Sequence, residues 1–407
     1  MQYCAECFGP LDVVPGPVGH GGAVLRRRVE AGPPSMWRYR DLLPVDEPPG
    51  AAGVGGTPLV RAEALGAVVG LDDVWLKDET ANPSGSFKDR VVAAALGRAL
   101  ADGSRVLAGA STGNLAHAMA GAAARAGLVA VVLVSAALPE ADRAALAAAG
   151  ATVVPIAGDY DAANRLASEA SMDDACARWA WVNIGLRPWY VEGSATVAHE
   201  IAEQLGWVTP DALVVPIASG ALALTLHRAF ADLAECGLVP PGPPPALWGA
   251  QPAGCAPVAG AFAAGADDVA PVRPATGVSS LAMGDPPDGA DVLVAARASG
   301  GGVVAVPEAL VGEAQQRLLD TEGIAVEPAG GVVVGAVAAL AADGRLARHA
   351  RVVACLTGGP RDRWPAQGAD TGAAMAPGRV TGTIPPTVSA LSAVVSEGLS
   401  AAPEDPT

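Results

Sequence analysis

The first residue whose position suggests chemistry is Lys88, in the segment Asn82–Arg90 with the sequence NPSGSFKDR. Pro and Gly end the preceding extended run and Ser86 can cap a helix, so Lys88 is predicted to lie in the first helical turn. A cation at that place opposes the helix macrodipole. Two interpretations stay open: Lys88 forms an imine with a carbonyl cofactor, or it is an exposed lysine paired with Asp89 or a neighbouring acid.

Three further turns, rich in small residues, follow predicted strands. The turn Ala110–Asn114 opens a predicted helix with hydroxyls and backbone N–H groups, which suits a carboxylate or phosphate. Pro216–Ala221 has the small residues that allow a backbone to approach a phosphate closely. In Cys355–Gly359, the hydroxyl of Thr357 could bond a ring nitrogen. Taken singly, each is equally well explained as an ordinary cap or turn.

The elements that must position these turns alternate between short β-branched runs and Ala-rich stretches of helical length. Apolar runs without a period of two, each followed by a helix, indicate parallel strands buried on both faces. We therefore predict an α/β fold of two open lobes, with ligands at the carboxyl ends of the strands. The expected strands are Val74–Leu76, Arg105–Leu107, Val129–Val134, Thr152–Ile156, Leu213–Ile217, Val303–Val306 and Val352–Leu356, with another near Leu247.

Composition excludes several classes of protein. The 407 residues carry a net charge of −16, so the basic surface needed for nucleic acid or an anionic membrane is missing. No secretory signal and no apolar run long enough to cross a membrane are evident, so a cytoplasmic location is expected. Six cysteines in a chain of this length do not make a disulfide framework.

The order and context of these motifs resemble the threonine synthase family of fold-type-II pyridoxal-phosphate enzymes. The resemblance implies a tryptophan synthase β-like fold of two open αβα lobes, with the cofactor, pyridoxal 5'-phosphate, in the cleft between them. The expected divisions are a large domain (36–90 and 185–364), a small domain (91–184), an irregular segment (1–35) and a tail (365–407) with one short helix. The shared segments are Gly55–Leu59, Asn82–Arg90, Ser111–Asn114, Glu192–Gly193, Glu203–Trp207, Gln251–Pro257, Gly284–Pro286, Glu322–Ala329 and Thr357–Gly359.

The resemblance assigns the cofactor ligands residue by residue. Lys88 would carry the cofactor and then serve as the catalytic proton carrier. Asn114 would bond the ring oxygen of the cofactor, and Thr357 would contact the pyridine nitrogen. The cofactor phosphate would be held by backbone N–H groups of Ala218, Ser219, Gly220 and Ala221.

The substrate ligands depart from the family pattern. Ser111 and Thr112 would bind the substrate carboxylate. Threonine synthases usually carry an Asn-Pro-Tyr-Arg run whose Arg helps to bind the substrate phosphate, but here that position is Tyr190. Arg187 is the nearest cation in the same loop, and Leu222 stands where the family commonly has an Asn. These changes suggest a bacterial subgroup with altered phosphate ligands.

The resulting hypothesis is a lyase that acts on a small amino acid, with O-phospho-L-homoserine and water converted to L-threonine and phosphate as the best single candidate. Two alternatives stay open. One is a dehydratase or β-replacement enzyme for another hydroxy- or acyl-substituted amino acid, and the other is a cofactor-binding protein without turnover. The expected partner is the small amino acid alone, with neither nucleic acid nor membrane. A homodimer is the assembly considered.

The N-terminal segment carries Cys4 and Cys7, which look like the second half of the small zinc ribbon that precedes some bacterial family members. A structural zinc needs four ligands, and His20 is the nearest other candidate. We therefore interpret this segment as a remnant and predict no bound metal.

Overall fold

The larger of two sheets has six strands. The computed structural model describes residues 6, 11–13, 21–176, 178–360 and 378–399. The strand order is β1-β2-β10-β7-β8-β9, and all neighbours are parallel except β1 and β2. The strands are β1 (Leu59–Arg61), β2 (Asp73–Asp78), β7 (Ala212–Pro216), β8 (Ala246–Pro252), β9 (Gly302–Val306) and β10 (Arg351–Leu356).

The smaller sheet has five strands in the order β11-β5-β4-β3-β6, and every pair is parallel. Its carboxyl ends contribute the Ser111–Asn114 turn, which follows β3. The strands are β3 (Val106–Ala110), β4 (Val129–Ser135), β5 (Ala151–Ile156), β6 (Trp179–Trp181) and β11 (Arg379–Val380).

Helices cover both faces of each sheet, as parallel strands require. The helices up to the middle of the chain are α1 (Gly22–Glu30), α2 (Glu63–Val69), α3 (Lys88–Ala101), α4 (Asn114–Arg125), α5 (Glu140–Ala148), α6 (Tyr160–Ser171) and α7 (Arg187–Gln204). Those that follow are α8 (Ala221–Glu235), α9 (Pro257–Ala263), α10 (Gly289–Ala298), α11 (Glu308–Glu322), α12 (Pro328–Ala342) and α13 (Val388–Leu399).

Strand alternation divides the interior into separate cores on the two sides of each sheet. In β7, Leu213 and Val215 pack into one core, and Val214 packs into the core on the opposite face. In β4, Val132 and Val131 are divided in the same way. Because successive strand side chains point to opposite faces, an uninterrupted apolar run is what a doubly covered strand needs.

The predicted fold class of two lobes with parallel sheets is confirmed. The prediction of an irregular segment 1–35 is wrong over Gly22–Glu30, where α1 buries Leu25 and Val29 one turn apart. The tail 365–407 holds the expected short helix as α13, and it also supplies β11, which extends the smaller sheet. Within the described part of the chain, no helix is long and apolar enough to cross a membrane.

Candidate active site

The loop before Lys88 is fastened to the turn that follows β10. Phe87 N donates to the carbonyl oxygen of Thr357 at 3.0 Å, and Gly359 N donates to the carbonyl oxygen of Gly85 at 2.9 Å. Ser86 and Gly358 also form a β-bridge. Two segments more than 250 positions apart in the sequence therefore hold Lys88 and Thr357 next to each other.

Lys88 is the first residue of α3, as its motif predicts. Its Nζ lies 2.9 Å from Tyr190 Oη and 4.5 Å from the centre of the Phe87 ring. The alternative of an exposed lysine paired with Asp89 or a neighbouring acid does not hold. Asp89 is buried and its Oδ2 accepts from both the N–H and the hydroxyl of Ser84 at 2.7 Å, and among the described residues no carboxylate pairs with Lys88. Lys88 instead presents its amine to the cleft between the lobes.

The start of α4 joins the two lobes across this cleft. Asn114 is its first residue, and its Nδ2 donates to Glu327 Oε1 at 3.0 Å. Glu327 precedes α12 in the larger lobe, and its N–H donates to the carbonyl oxygen of Gly358. The amide expected to meet the cofactor ring is thus oriented by a carboxylate to which we assigned no role from the sequence.

The turn after β7 has the backbone shape of an anion cradle. Gly220 has φ of 103° and precedes the first residue of α8, a conformation that favours glycine. A Cβ at this position would lie 2.8 Å from Val292 and 2.9 Å from the Cβ of Asp288. Because the first N–H groups of a helix lack intrahelical partners, they remain available to a phosphate.

All the predicted site residues line one cavity of about 590 Å³ between the lobes. A lysine amine, a helix N-terminus and a hydroxyl at the end of β10 suit a phosphorylated aromatic carbonyl compound, so the donor set fits such a cofactor. The predicted residues in its wall are Lys88, Ser111, Thr112, Asn114, Arg187, Tyr190, Ala218, Ser219, Gly220, Ala221 and Thr357. Wall residues with no predicted role include Phe87, Tyr160, Asn183, Ser194, Ser279, Met283 and Glu327.

Arg187 and Asp288 form an ion pair at the side of this cavity. Nη2 of Arg187 donates to Asp288 Oδ1 at 2.6 Å and to Oδ2 at 2.8 Å. Burial raises the pKa of Asp288, and the neighbouring guanidinium opposes that shift. Among the described residues, Nε and Nη1 of Arg187 have no hydrogen-bond partner.

A buried ion network lies directly beneath Lys88. Arg90, two residues later in α3, binds Glu79 with Nε at 2.6 Å and Glu200 with Nη1 at 2.7 Å. Lys77 Nζ donates to the same Glu200 at 2.6 Å. Burial disfavours the charge of Glu200, but the two cations outweigh that effect and hold its pKa below the usual range. The network ties β2, α3 and α7 together at the base of the site.

The zinc prediction concerns the N-terminal segment of the chain. Cys4, Cys7 and His20 all lie outside the described residues. Elsewhere, in the part of the chain that is described, no three His, Cys, Asp or Glu side chains come together as a metal site would require.

Comparisons with known proteins agree with this geometry. The family model for pyridoxal-phosphate dependent enzymes matches residues 51–358. Threonine synthase of Methanosarcina acetivorans is 32% identical over 360 residues, covering 88% of this chain and 87% of that protein. Threonine synthase of Methanocaldococcus jannaschii is 31% identical over 364 residues, with the same two coverages.

Solved structures share the fold at lower identity. Threonine deaminase isoform 2 of Solanum lycopersicum superposes with a TM-score of 0.63 at 21% identity, covering 87% of this chain and 94% of that one. Diaminopropionate ammonia lyase of Escherichia coli gives a TM-score of 0.63 at 20% identity, covering 86% and 91%. Together with the family match and the identity to threonine synthases, these findings mean that the chain belongs to the threonine synthase family and is a pyridoxal-phosphate-dependent lyase.

Proposed function

We propose that this lyase converts O-phospho-L-homoserine and water into L-threonine and phosphate. The observation that carries the proposal is Arg187, which lines the same cavity as Lys88 and keeps Nε and Nη1 available beside its ion pair. The identity to threonine synthases over most of both chains supports the same reaction.

Pyridoxal phosphate would be held by Lys88, by Asn114 and Thr357 around its ring, and by the backbone N–H groups of Ser219, Gly220 and their neighbours Ala218 and Ala221. When bound, the cofactor supplies an electron sink that acidifies the C–H bonds of an attached amino acid. In this chain, Lys88 Nζ is the base that would take and return those protons. A neutral hydroxyl from Thr357 would leave the ring nitrogen less electron-withdrawing than a carboxylate partner would.

Substrate recognition would divide between the two ends of the amino acid. Ser111 and Thr112, before the N-terminus of α4, suit the α-carboxylate because helix N-terminal N–H groups attract anions. Arg187 suits the distal phosphate, since a guanidinium gives planar, charge-assisted hydrogen bonds to oxyanions. Tyr190 offers a neutral hydroxyl 2.9 Å from Lys88 Nζ.

A second candidate is a dehydratase or β-replacement enzyme whose substrate carries no phosphate. Two observations favour it. Asp288 already neutralises Arg187, and Leu222 brings an apolar side chain to the cavity wall where an Asn would offer a donor. An uncharged hydroxy- or acyl-amino acid would tolerate both features better than a dianion would.

The deciding experiment is a substrate comparison on the cofactor-loaded protein. Phosphate release and threonine formation from O-phospho-L-homoserine are expected, and Arg187→Ala should raise KM for this substrate about 10- to 100-fold, equivalent to one charged hydrogen bond. Dehydration of L-serine or L-threonine by the same variant should change little. Turnover of the hydroxy-amino acids alone would favour the second candidate, and no turnover of any substrate would favour a binding protein.

A further inference from the structure

Asp288 lies where three elements of the site meet. Its backbone N–H donates to the carbonyl oxygen of Ser219 at 3.0 Å, in the turn that leads to α8. Its side chain pairs with Arg187 at the start of α7, and the residue itself immediately precedes α10. No side-chain cap bond to α10 uses its carboxylate. The carboxylate therefore has Arg187 as its side-chain partner.

The backbone of Asp288 is fixed relative to the turn Ala218–Ala221. Gly220 packs so closely against Asp288 that an added Cβ would lie 2.9 Å from its Cβ and 3.2 Å from its carbonyl oxygen. Asp288 is only 8% exposed. A carboxylate held in this way keeps a constant position with respect to the turn Ala218–Ala221.

The ion pair fixes the Arg187 guanidinium but uses only one of its three nitrogens. Both carboxylate oxygens contact the single nitrogen Nη2, so the N–H groups of Nε and Nη1 keep no acceptor among the described residues. The Arg187 side chain is 24% exposed, and without a partner a flexible arginine would reach many solvated rotamers.

We propose that Asp288 is a positioning residue that orients Arg187 toward the distal anionic group of the substrate and sets its distance from the cofactor-phosphate turn. This inference rests on the proposed function, in which Arg187 binds that group. Asp288 then determines specificity without touching the reacting atoms: it favours substrates whose anion reaches the fixed guanidinium edge.

The test uses Asp288→Ala in the full chain, because alanine keeps the Cβ packed on Gly220 and the N–H bond to Ser219. Asp291→Ala is the matched control, since it removes the same charge from an exposed position in the first turn of α10. Isothermal titration with 2-amino-5-phosphonopentanoate, a phosphonate without a leaving group, measures anion binding. We expect about tenfold weaker binding in Asp288→Ala and no more than a twofold change in Asp291→Ala.

A second measurement does not depend on catalysis. Phenylglyoxal labels accessible arginines, and mass spectrometry of cofactor-free protein reports the labelling rate of Arg187. Asp288→Ala should raise that rate severalfold, Asp288→Asn should raise it less because one acceptor remains, and Asp291→Ala should leave it unchanged. Thermal unfolding and cofactor affinity should stay within error of the parent, which separates positioning from a folding defect.

The outcomes separate this inference from the proposed function. In an Arg187→Ala background, Asp288→Ala should add no further loss of phosphonate affinity; an equal loss in both backgrounds would overturn the inference. Tighter phosphonate binding in Asp288→Ala would also overturn it, since Asp288 would then be a competitor for the guanidinium. If the parent does not turn over phosphohomoserine but Asp288→Ala still weakens phosphonate binding, the proposed reaction is refuted. Asp288 would then remain the orienting group of an anion subsite.

Discussion

Lys88 Nζ and Tyr190 Oη lie 2.9 Å apart, although 102 positions separate the two residues in the sequence. Lys88 begins α3 and Tyr190 lies in the first turn of α7, so the packing of these two helices sets the distance. Trp189, the neighbour of Tyr190, lies instead against Arg98 at 4.5 Å. The contact gives the lysine amine a hydroxyl partner in the cleft.

Replacement of Lys88 by alanine should abolish covalent cofactor attachment and turnover. No other lysine lines the cavity as the described residues form it, so no amine can take over. The visible absorbance of the bound cofactor and the catalytic rate both measure the effect. A Lys88→Ala protein that kept either the absorbance of the attached cofactor or its activity would contradict the assignment.

Tyr190→Phe should lower kcat about tenfold and leave cofactor binding close to that of the parent. The change removes one hydrogen bond to the Lys88 amine, while the ring keeps its packing beside Lys88. Steady-state kinetics and a cofactor titration measure the two effects. Trp189→Phe is the control, since Trp189 lies on the same helix but packs against Arg98 instead of Lys88. An equal loss of kcat in both variants would mean that the packing of the helix, and not the hydroxyl, matters.

The sequence predicted the local parts of this site better than its long-range contacts. Lys88 and the turn after β7 were predicted at the right places because glycine, proline and small residues carry their own conformational preferences. The Lys88–Tyr190 bond depends on helix packing, which no local pattern encodes. Asp288 was missed for the same reason, since its partner Arg187 is 101 positions away. The short strand β11 has only two residues and depends on a neighbouring sheet for its pairing.

Replacement of Arg90 by methionine should lower the free energy of unfolding by about 3–5 kcal/mol, because it leaves Glu79 and Glu200 buried without their shared cation. Chemical unfolding monitored by fluorescence and circular dichroism measures this loss. Arg98→Ala is the matched control in the same helix, where an exposed pair with Asp102 contributes less than about 1 kcal/mol. Similar losses of unfolding free energy in both variants would show that the buried network stabilises the fold no more than an exposed ion pair does.

The buried carboxyl of Asp89 should make stability fall as pH rises from about 4 to about 6. Burial raises its pKa to about 6, against the hydrogen bonds from Ser84 and the charge of Arg125, while nearby Glu79 raises it further. The unfolded chain ionises near pH 4, so between the two values the folded chain holds more protons. The contribution of Asp89 is therefore complete below about pH 4 and is lost above about pH 6, with a difference of at most roughly 3 kcal/mol.

Asp89→Asn should remove this slope, because its side-chain oxygen can still accept from Ser84 and no charge develops. Urea unfolding of parent and variant at several pH values between 4 and 8 measures this slope. As pH rises, the variant should become more stable relative to the parent. Asp102→Asn, at the exposed end of α3, changes the same charge without burial and should keep the parental slope. A parental slope in Asp89→Asn would assign the pH dependence to another buried group.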